Sequence, residues 1–308
     1  MTRLPPTRPL ILEIKGNSLD DGPGIRTVVF FKGCPLDCSW CHNPESKKTV
    51  AELSFDAVEC VDCGECIEAC AKGALSRETP GRVERLMCDV CGACVDVCPS
   101  RALSVVGRKM DVQDIIRAVE KDMPFFETSG GGVTLSGGEP TMFMDFCSRL
   151  LVGLEELGVH TIVETCGLFD MASFEEHVLP HVNSVYYDLK LMDGESHRRE
   201  CGTPNDRILE NFRHLAGLKE AGAVDLLARV PLVPGITATE ENLRAVRALL
   251  DECGLERVAL LEYNPLWPDK AAKIGRPEPF PGVEAMRQWM PREHIEACRA
   301  VFDGLEVL

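Results

Sequence analysis

The chain has 308 residues, 45% of them apolar, enough for one large domain and a small one and too apolar for a disordered or fibrous protein. Its 49 acids outweigh 33 lysines and arginines, and the net charge of −16 with no clustered Lys and Arg excludes a nucleic-acid groove. There is no run of about 18 apolar residues and no secretory leader in MTRLPPTRPLILEIKG, so no membrane is expected and the chain reads as soluble and cytoplasmic, where 16 cysteines stay reduced and bind metal more readily than each other.

In chain order, AspAspGlyProGlyIleArg at 20–26 has turn chemistry and leads into a first strand, Thr27 to Phe31. Directly after it comes GlyCysProLeuAspCysSerTrpCysHisAsn, with Cys34, Cys38 and Cys41 spaced C-x3-C-x2-C. Three thiolates this close can each take one iron of a cubane cluster, and the fourth iron is left open to a small molecule. The alternative is a zinc completed by His42, but a His directly beside a ligating Cys strains a tetrahedral site.

Cys60 to Ser104 contains a repeat at an offset of 28, CVDCGECIEACAKGALS echoed by CDVCGACVDVCPSRALS, within an insert expected at 50–106. Cys60, Cys63, Cys66 and Cys70, then Cys88, Cys91, Cys94 and Cys98, each read C-x2-C-x2-C-x3-C. That is the bacterial two-cluster ferredoxin run, in which the fourth cysteine serves the other cluster. The expected sets are Cys60, Cys63, Cys66 with Cys98, and Cys88, Cys91, Cys94 with Cys70. Ala71 stands where the second run has Pro99. Zinc knuckles need two pairs and have no use for a triplet plus one.

Beyond the insert, strand candidates Val133–Ser136, Thr161–Glu164, Ser184–Asp188, Asp225–Val230 and Arg257–Glu262 alternate with helical stretches Asp111–Lys121, Phe143–Leu157, Asp206–Ala221 and Glu240–Cys253. This βα alternation predicts an α/β fold with a parallel sheet whose chemistry sits at the strands' carboxyl ends. The remaining cysteines, Cys147, Cys166, Cys201, Cys253 and Cys298, are scattered and read as small core residues.

The cysteine loop after the first strand, with Trp40 before its last cysteine, resembles the signature of radical S-adenosylmethionine (SAM) enzymes, and the resemblance runs over nearly the whole chain. It implies a partial (β/α)6 TIM-like barrel from 1–49 and 107–308, interrupted by the ferredoxin-like insert, and three 4Fe-4S clusters in all. SerGlyGlyGluPro at 136–140 is similar to the motif that holds the SAM ammonium, which gives Gly137, Gly138 and Glu139 that role. AspLeuLys at 188–190 resembles a motif lying beside SAM, so Asp188 and Lys190 carry over. Glu164 is expected to hold SAM or a nearby monovalent cation, Arg229 to face the SAM carboxylate or form an internal salt bridge, and Asn264 to contact the adenosine.

Together with the loop, the DGPGIR turn resembles the glycyl-radical-enzyme activases, which cleave SAM to methionine and a 5'-deoxyadenosyl radical that takes a Cα hydrogen from a glycine of a partner enzyme. Asp21 is then expected to dock the partner's glycine peptide. An external ferredoxin or flavodoxin is the expected electron donor, the insert's clusters the relay, and an anaerobic source the expected setting. A peptide-oxidising radical SAM maturase commonly carries its auxiliary cysteines after the barrel, where this chain has only Cys253 and Cys298. A pure electron-transfer protein would have no use for an open-iron loop followed by GGEP.

Overall fold

A computed structural model describes residues 8–308; the reading of the leaderless N-terminus rests partly on residues 1–7, which lie outside it. The strands in chain order are β1 (Leu10–Ser18), β2 (Arg26–Lys32), β3 (Glu52–Phe55), β4 (Leu103–Val106), β5 (Arg108–Lys109), β6 (Gly132–Gly137), β7 (His160–Thr165), β8 (Ser184–Asp188), β9 (Asp225–Leu232), β10 (Arg257–Glu262) and β11 (Glu306–Val307). All six strand candidates form, as β2 and β6 to β10.

The large sheet runs β11-β10-β9-β8-β7-β6-β2-β1-β5. From β2 to β11 every pairing is parallel, while β1 pairs antiparallel with both β2 and β5. Runs such as Thr27–Phe31 are buried on both faces, which is why their sequences are continuously apolar instead of alternating. β1 escaped the sequence reading because LILEIKGNS alternates buried and half-exposed residues at the sheet's margin and carries Gly16 and Asn17.

The four helical stretches also form, as Val112–Val119, Met144–Glu156, Asp206–Glu220 and Glu240–Glu252. Their apolar faces pack on the sheet in one core that includes Phe31, Ile115, Phe146, Leu150, Phe212, Leu215, Val246 and Leu250. Short helices Met171–His177, Gly194–Cys201, Trp267–Lys273 and Arg292–Ala300 were not foreseen, being too brief or too polar to show a period. Among the described residues no helix is long and apolar enough to cross a membrane.

Between β2 and β6 the chain leaves the sheet. β3 pairs antiparallel with β4, Glu52 opposite Val106 and Phe55 opposite Leu103, and so brings the ends of the cysteine-rich repeat together. Inside lies a small core of Leu53, Phe55, Leu75, Val83, Ala102 and Leu103, ringed by the cysteines. Each repeat contributes one turn of helix, Glu65–Glu68 and Ala93–Asp96, entered through Gly64 at φ 85° and Gly92 at φ 87°, left-handed positions suited to glycine.

A cysteine loop and a buried ionic row at the carboxyl edge

The loop that leaves β2 is tied shut at its base, with Gly33 N donating to Ser46 O at 2.6 Å and Cys34 N to Lys47 O at 3.1 Å. Lys47 Nζ then reaches back to Cys38 O at 2.7 Å and to Asp37 at 2.5 Å. The end of the helix Gly194–Cys201 fastens the outer side: Asp37 N donates to Cys201 O at 2.9 Å, Ser39 N to Glu200 O at 2.8 Å and Ser39 Oγ to Glu200 Oε2 at 2.8 Å. Cys34, Cys38 and Cys41 thus project from a loop held on both sides, and Cys38 is 8% exposed.

Two thiols read as scattered core residues turn out to touch this loop. Cys201 meets Cys38 and Cys166 meets Cys34, so the region gathers five sulfurs. The hydrogen bond with Cys201 lowers the Cys38 thiol, whereas burial pushes Cys41 up to about 12. Buried neighbouring thiols cannot all ionise without a positive centre among them. An iron cluster supplies that charge, so the donor set fits one. Trp40 is packed with Leu36, Leu191, Val233 and Trp267 and is 4% exposed.

β6 lies beside β2, and the two loops zip together: Gly138 N donates to Phe31 O at 2.8 Å and Glu139 N to Gly33 O at 2.7 Å. A Cβ on Gly137 would stand 2.4 Å from Phe31 N, and one on Gly138 2.1 Å from Gly33 O, so both glycines are required by backbone contact. Glu139 has partners within the protein. It is 0% exposed, and its carboxylate accepts from Thr141 N, Thr141 Oγ1, Thr165 Oγ1 and Cys166 N at 3.2, 2.7, 2.9 and 2.7 Å. The side chain pins the end of β7 to the end of β6.

The next strand ends form one row of charges. Ser136 Oγ donates to Glu164 Oε2 at 2.6 Å, and Arg229 Nη1 donates to Glu164 Oε1. Arg229 Nη2 and Nε reach Asp188 Oδ1 at 2.8 and 2.9 Å, and Lys190 Nζ donates to Asp188 Oδ2 at 2.9 Å. The registers that set Asp188 opposite Arg229 and Glu164 opposite Tyr186 make the row possible. Arg229 forms the internal salt bridge, its guanidinium bracketed by Glu164 of β7 and Asp188 of β8. Each oxygen of Glu164 accepts one hydrogen bond, from Ser136 and from Arg229.

Burial pushes Glu164 above the usual carboxylate range despite Arg229. Burial also works against Asp188, but Arg229 and Lys190 outweigh it and hold that carboxyl below its ordinary value. For Lys190 and Arg229 burial would favour loss of the proton, and the facing acids reverse it, so both stay cationic.

Asp21 lies in the turn between β1 and β2, at the amino end of β2, yet the turn tucks against the sheet: Thr134 Oγ1 donates to Asp21 O at 2.7 Å and Ser18 Oγ donates to Asp21 Oδ2. Arg26, fully buried, donates to Pro23 O of the turn at 3.4 Å and to Thr134 Oγ1 and Val133 O of β6 at 2.6 and 2.5 Å, and so ties the turn to the sheet. Asn264 follows β10 and uses its Oδ1 to accept from Leu266 N at 2.9 Å.

In the insert, one pocket is lined by Cys60, Cys63, Cys66 and Cys98, and a second by Cys70, Cys88, Cys91 and Cys94. Each takes three cysteines from one repeat and one from the other. Cys63 and Cys91 are exposed, Cys66 and Cys94 buried.

The profile of a 4Fe-4S single cluster domain matches residues 20–77, and that of a 4Fe-4S binding domain matches 82–104. The isethionate sulfite-lyase activating enzyme of Desulfovibrio desulfuricans is 39% identical over 303 residues, covering 96% of this chain and 92% of that one. The trans-4-hydroxy-L-proline dehydratase activating enzyme of Clostridioides difficile is 36% identical over 300 residues, covering 96% of each. In fold the chain is similar to a radical SAM methyltransferase from Sphaerobacter thermophilus, with a TM-score of 0.50 at 17% identity, over 100% of this chain and 78% of that one. The cysteine loop, the iron–sulfur domains and relatives alike over nearly their full length lead to one assignment: the chain belongs to the activating enzymes of glycyl radical enzymes, radical SAM proteins that use SAM to place a radical on a partner's glycine.

Proposed function

We propose that this activating enzyme works with three 4Fe-4S clusters: one on Cys34, Cys38 and Cys41, one on Cys60, Cys63, Cys66 and Cys98, and one on Cys88, Cys91, Cys94 and Cys70. The observation that carries it is the pair of insert pockets, whose crossed lining by four cysteines each is the two-cluster ferredoxin arrangement. The open parallel sheet is read as the partial (β/α)6 barrel and residues 50–106 as the two-cluster insert. Bound in the loop, the cluster and SAM supply one-electron cleavage to methionine and a deoxyadenosyl radical, with electrons reaching it through the insert from a ferredoxin or flavodoxin.

The chain's own part is to bind, orient and keep dry. The backbone of Gly137–Glu139, Asp188 with Lys190, and Asn264 are the groups proposed to hold SAM. The row from Ser136 to Lys190 fixes their positions with paired charges, so little reorganisation is needed when the ligand arrives. Asp21, on the turn held by Thr134 and Arg26, is proposed to meet the glycine loop of the partner. The partner belongs to the same broad class as those of the relatives, whose names cover a sulfite-lyase and a dehydratase. A cytoplasmic location is part of the proposal.

The test is anaerobic reconstitution followed by iron counting, SAM cleavage under dithionite, and electron paramagnetic resonance (EPR) with a panel of glycyl radical enzymes. About twelve irons, deoxyadenosine and a doublet radical on one partner are expected. Deoxyadenosine with about four irons would overturn the three-cluster reading.

A further inference from the structure

The two pockets of the insert differ in how the cation lining each is placed. Arg82 lines the pocket of Cys60, Cys63, Cys66 and Cys98. Asp62 Oδ1 fixes its Nη2 at 2.5 Å, and the guanidinium carbon stands 5.5 Å over the Phe55 ring. The side chain is 13% exposed, and its Nη1 is shut from solvent with no hydrogen-bond partner among the described residues. Buried guanidinium N–H groups are ordinarily all bonded, so an orphan beside a ring of thiols is a donor aimed at sulfur. The guanidinium lies against Cys66.

The other pocket has no equivalent. Its lining cation is Lys72, which is 60% exposed and stands 4.0 Å from Asp89, so solvent and a carboxylate screen it. Arg85 acts on Cys88 but spends its N–H groups on the carbonyls of Leu53 and Lys273, and it does not line the pocket. One main-chain N–H reaches sulfur in each pocket, Asp62 N to Cys60 Sγ at 3.4 Å and Ala74 N to Cys70 Sγ at 3.3 Å, and Ser100 Oγ adds a contact to Cys98 Sγ at 3.9 Å in the first.

We propose that Arg82 is a positioning residue that splits the two auxiliary clusters in reduction potential, its Nη1 donating to sulfur in the pocket of Cys60, Cys63, Cys66 and Cys98 and making the cluster there the easier to reduce. The inference rests on reading both pockets as 4Fe-4S sites. A cluster gaining one electron becomes more negative, and a buried cation with an N–H aimed at sulfur stabilises that state. The electron comes from the low-potential donor, dithionite in the assay, and no bond is made or broken.

The experiment is an EPR-monitored redox titration of the reconstituted full-length protein, with the auxiliary signals assigned by their loss in Cys60→Ser and Cys88→Ser. Arg82→Gln should lower the potential of the signal that Cys60→Ser removes, about tenfold in its reduced-to-oxidised ratio or about 59 mV for a one-electron couple. The other two signals should stay in place. Arg82→Lys should recover part of the shift, and Asp62→Asn, which removes a nearby negative charge, should move the same signal upward. If Arg82→Gln loses iron, the Lys and Asn variants decide the matter by the same criterion. With about twelve irons bound, auxiliary signals that move together or not at all overturn the role of Arg82. About four irons in the wild type overturn the two-pocket reading beneath it.

Discussion

The two cysteine-rich regions are held in opposite ways. The loop of Cys34, Cys38 and Cys41 is gripped by the protein, through main-chain bonds to 46–47 and 200–201 and by Lys47 on Cys38 O. The insert has two one-turn helices, a two-stranded ribbon and a core of a few apolar side chains, with a cysteine of each repeat exposed. Segments this small do not bury enough surface to fold alone, so on the proposed two-cluster reading the metal would be part of the insert's structure. On the proposed reading the loop would present an open iron in fixed geometry, for which its frame is already built by protein contacts, whereas the insert would only have to keep its clusters and could let them build it.

The largest effect should separate the two regions outright. Replacing Cys34, Cys38 and Cys41 by Ala should abolish SAM cleavage while about eight of about twelve irons remain, checked by iron analysis and deoxyadenosine yield. Loss of all iron would mean that the insert depends on the loop. Conversely, anaerobic chelation should strip hydrogen-exchange protection from 60–98 while β6 to β10 stay protected, since structural metal binding is folding free energy, on the order of 10 kcal/mol for comparable small sites. Equal protection in both regions would break the comparison.

Next in size is the ionic row that backs the loop. Arg229→Met leaves Glu164 and Asp188 buried without their shared cation and should cost about 3–5 kcal/mol, read as a lower urea midpoint. Glu139→Ala removes a buried carboxylate that joins β6 to β7 and strands four donors; about 2–4 kcal/mol is expected in the same assay.

The smallest effect is a pH dependence. Burial pushes Asp188 up, but Arg229 and Lys190 hold it below its ordinary value, so its contribution is complete above the unfolded carboxylate pKa, about 3.9, and fades as pH falls through the depressed folded value. Glu164, raised by burial, has the opposite sign: the native state keeps its proton where the unfolded chain has lost it, and stability falls as pH rises through that window. Urea midpoints should show the wild type's margin over Asp188→Asn constant from pH 7 to about 4 and shrinking only below. A margin that changes near pH 6 would show that another group controls the row.

Much of this was legible in the sequence, and for a reason. Apolar β-branched runs alternating with helical periods name the parallel strands, because a strand buried on both faces can hardly be anything else. Cysteine spacing within a loop fixes which thiols can share a cluster, since the reach of a few residues is set by covalent geometry. The crossed lining of Cys98 with Cys60, and of Cys70 with Cys88, was also readable, because the C-x2-C-x2-C-x3-C run is the two-cluster ferredoxin pattern, in which the fourth cysteine serves the other cluster.

What the sequence could not carry is anything decided between strands. Glu139, Glu164, Asp188 and Arg229 all appear in recognisable motifs, but whether a side chain faces a ligand or its neighbour depends on register and sheet curvature, and the fold turns Glu139 and Arg229 inward. Cys166 and Cys201 look like filler until β7 and the helix Gly194–Cys201 bring them against the loop. Arg82 likewise has no motif, and its meaning comes from Asp62 and Phe55, which turn it into one pocket and leave the other without a counterpart. Local spacing is written in the chain; the pairing of distant polar groups is settled only when burial forces each to find a partner.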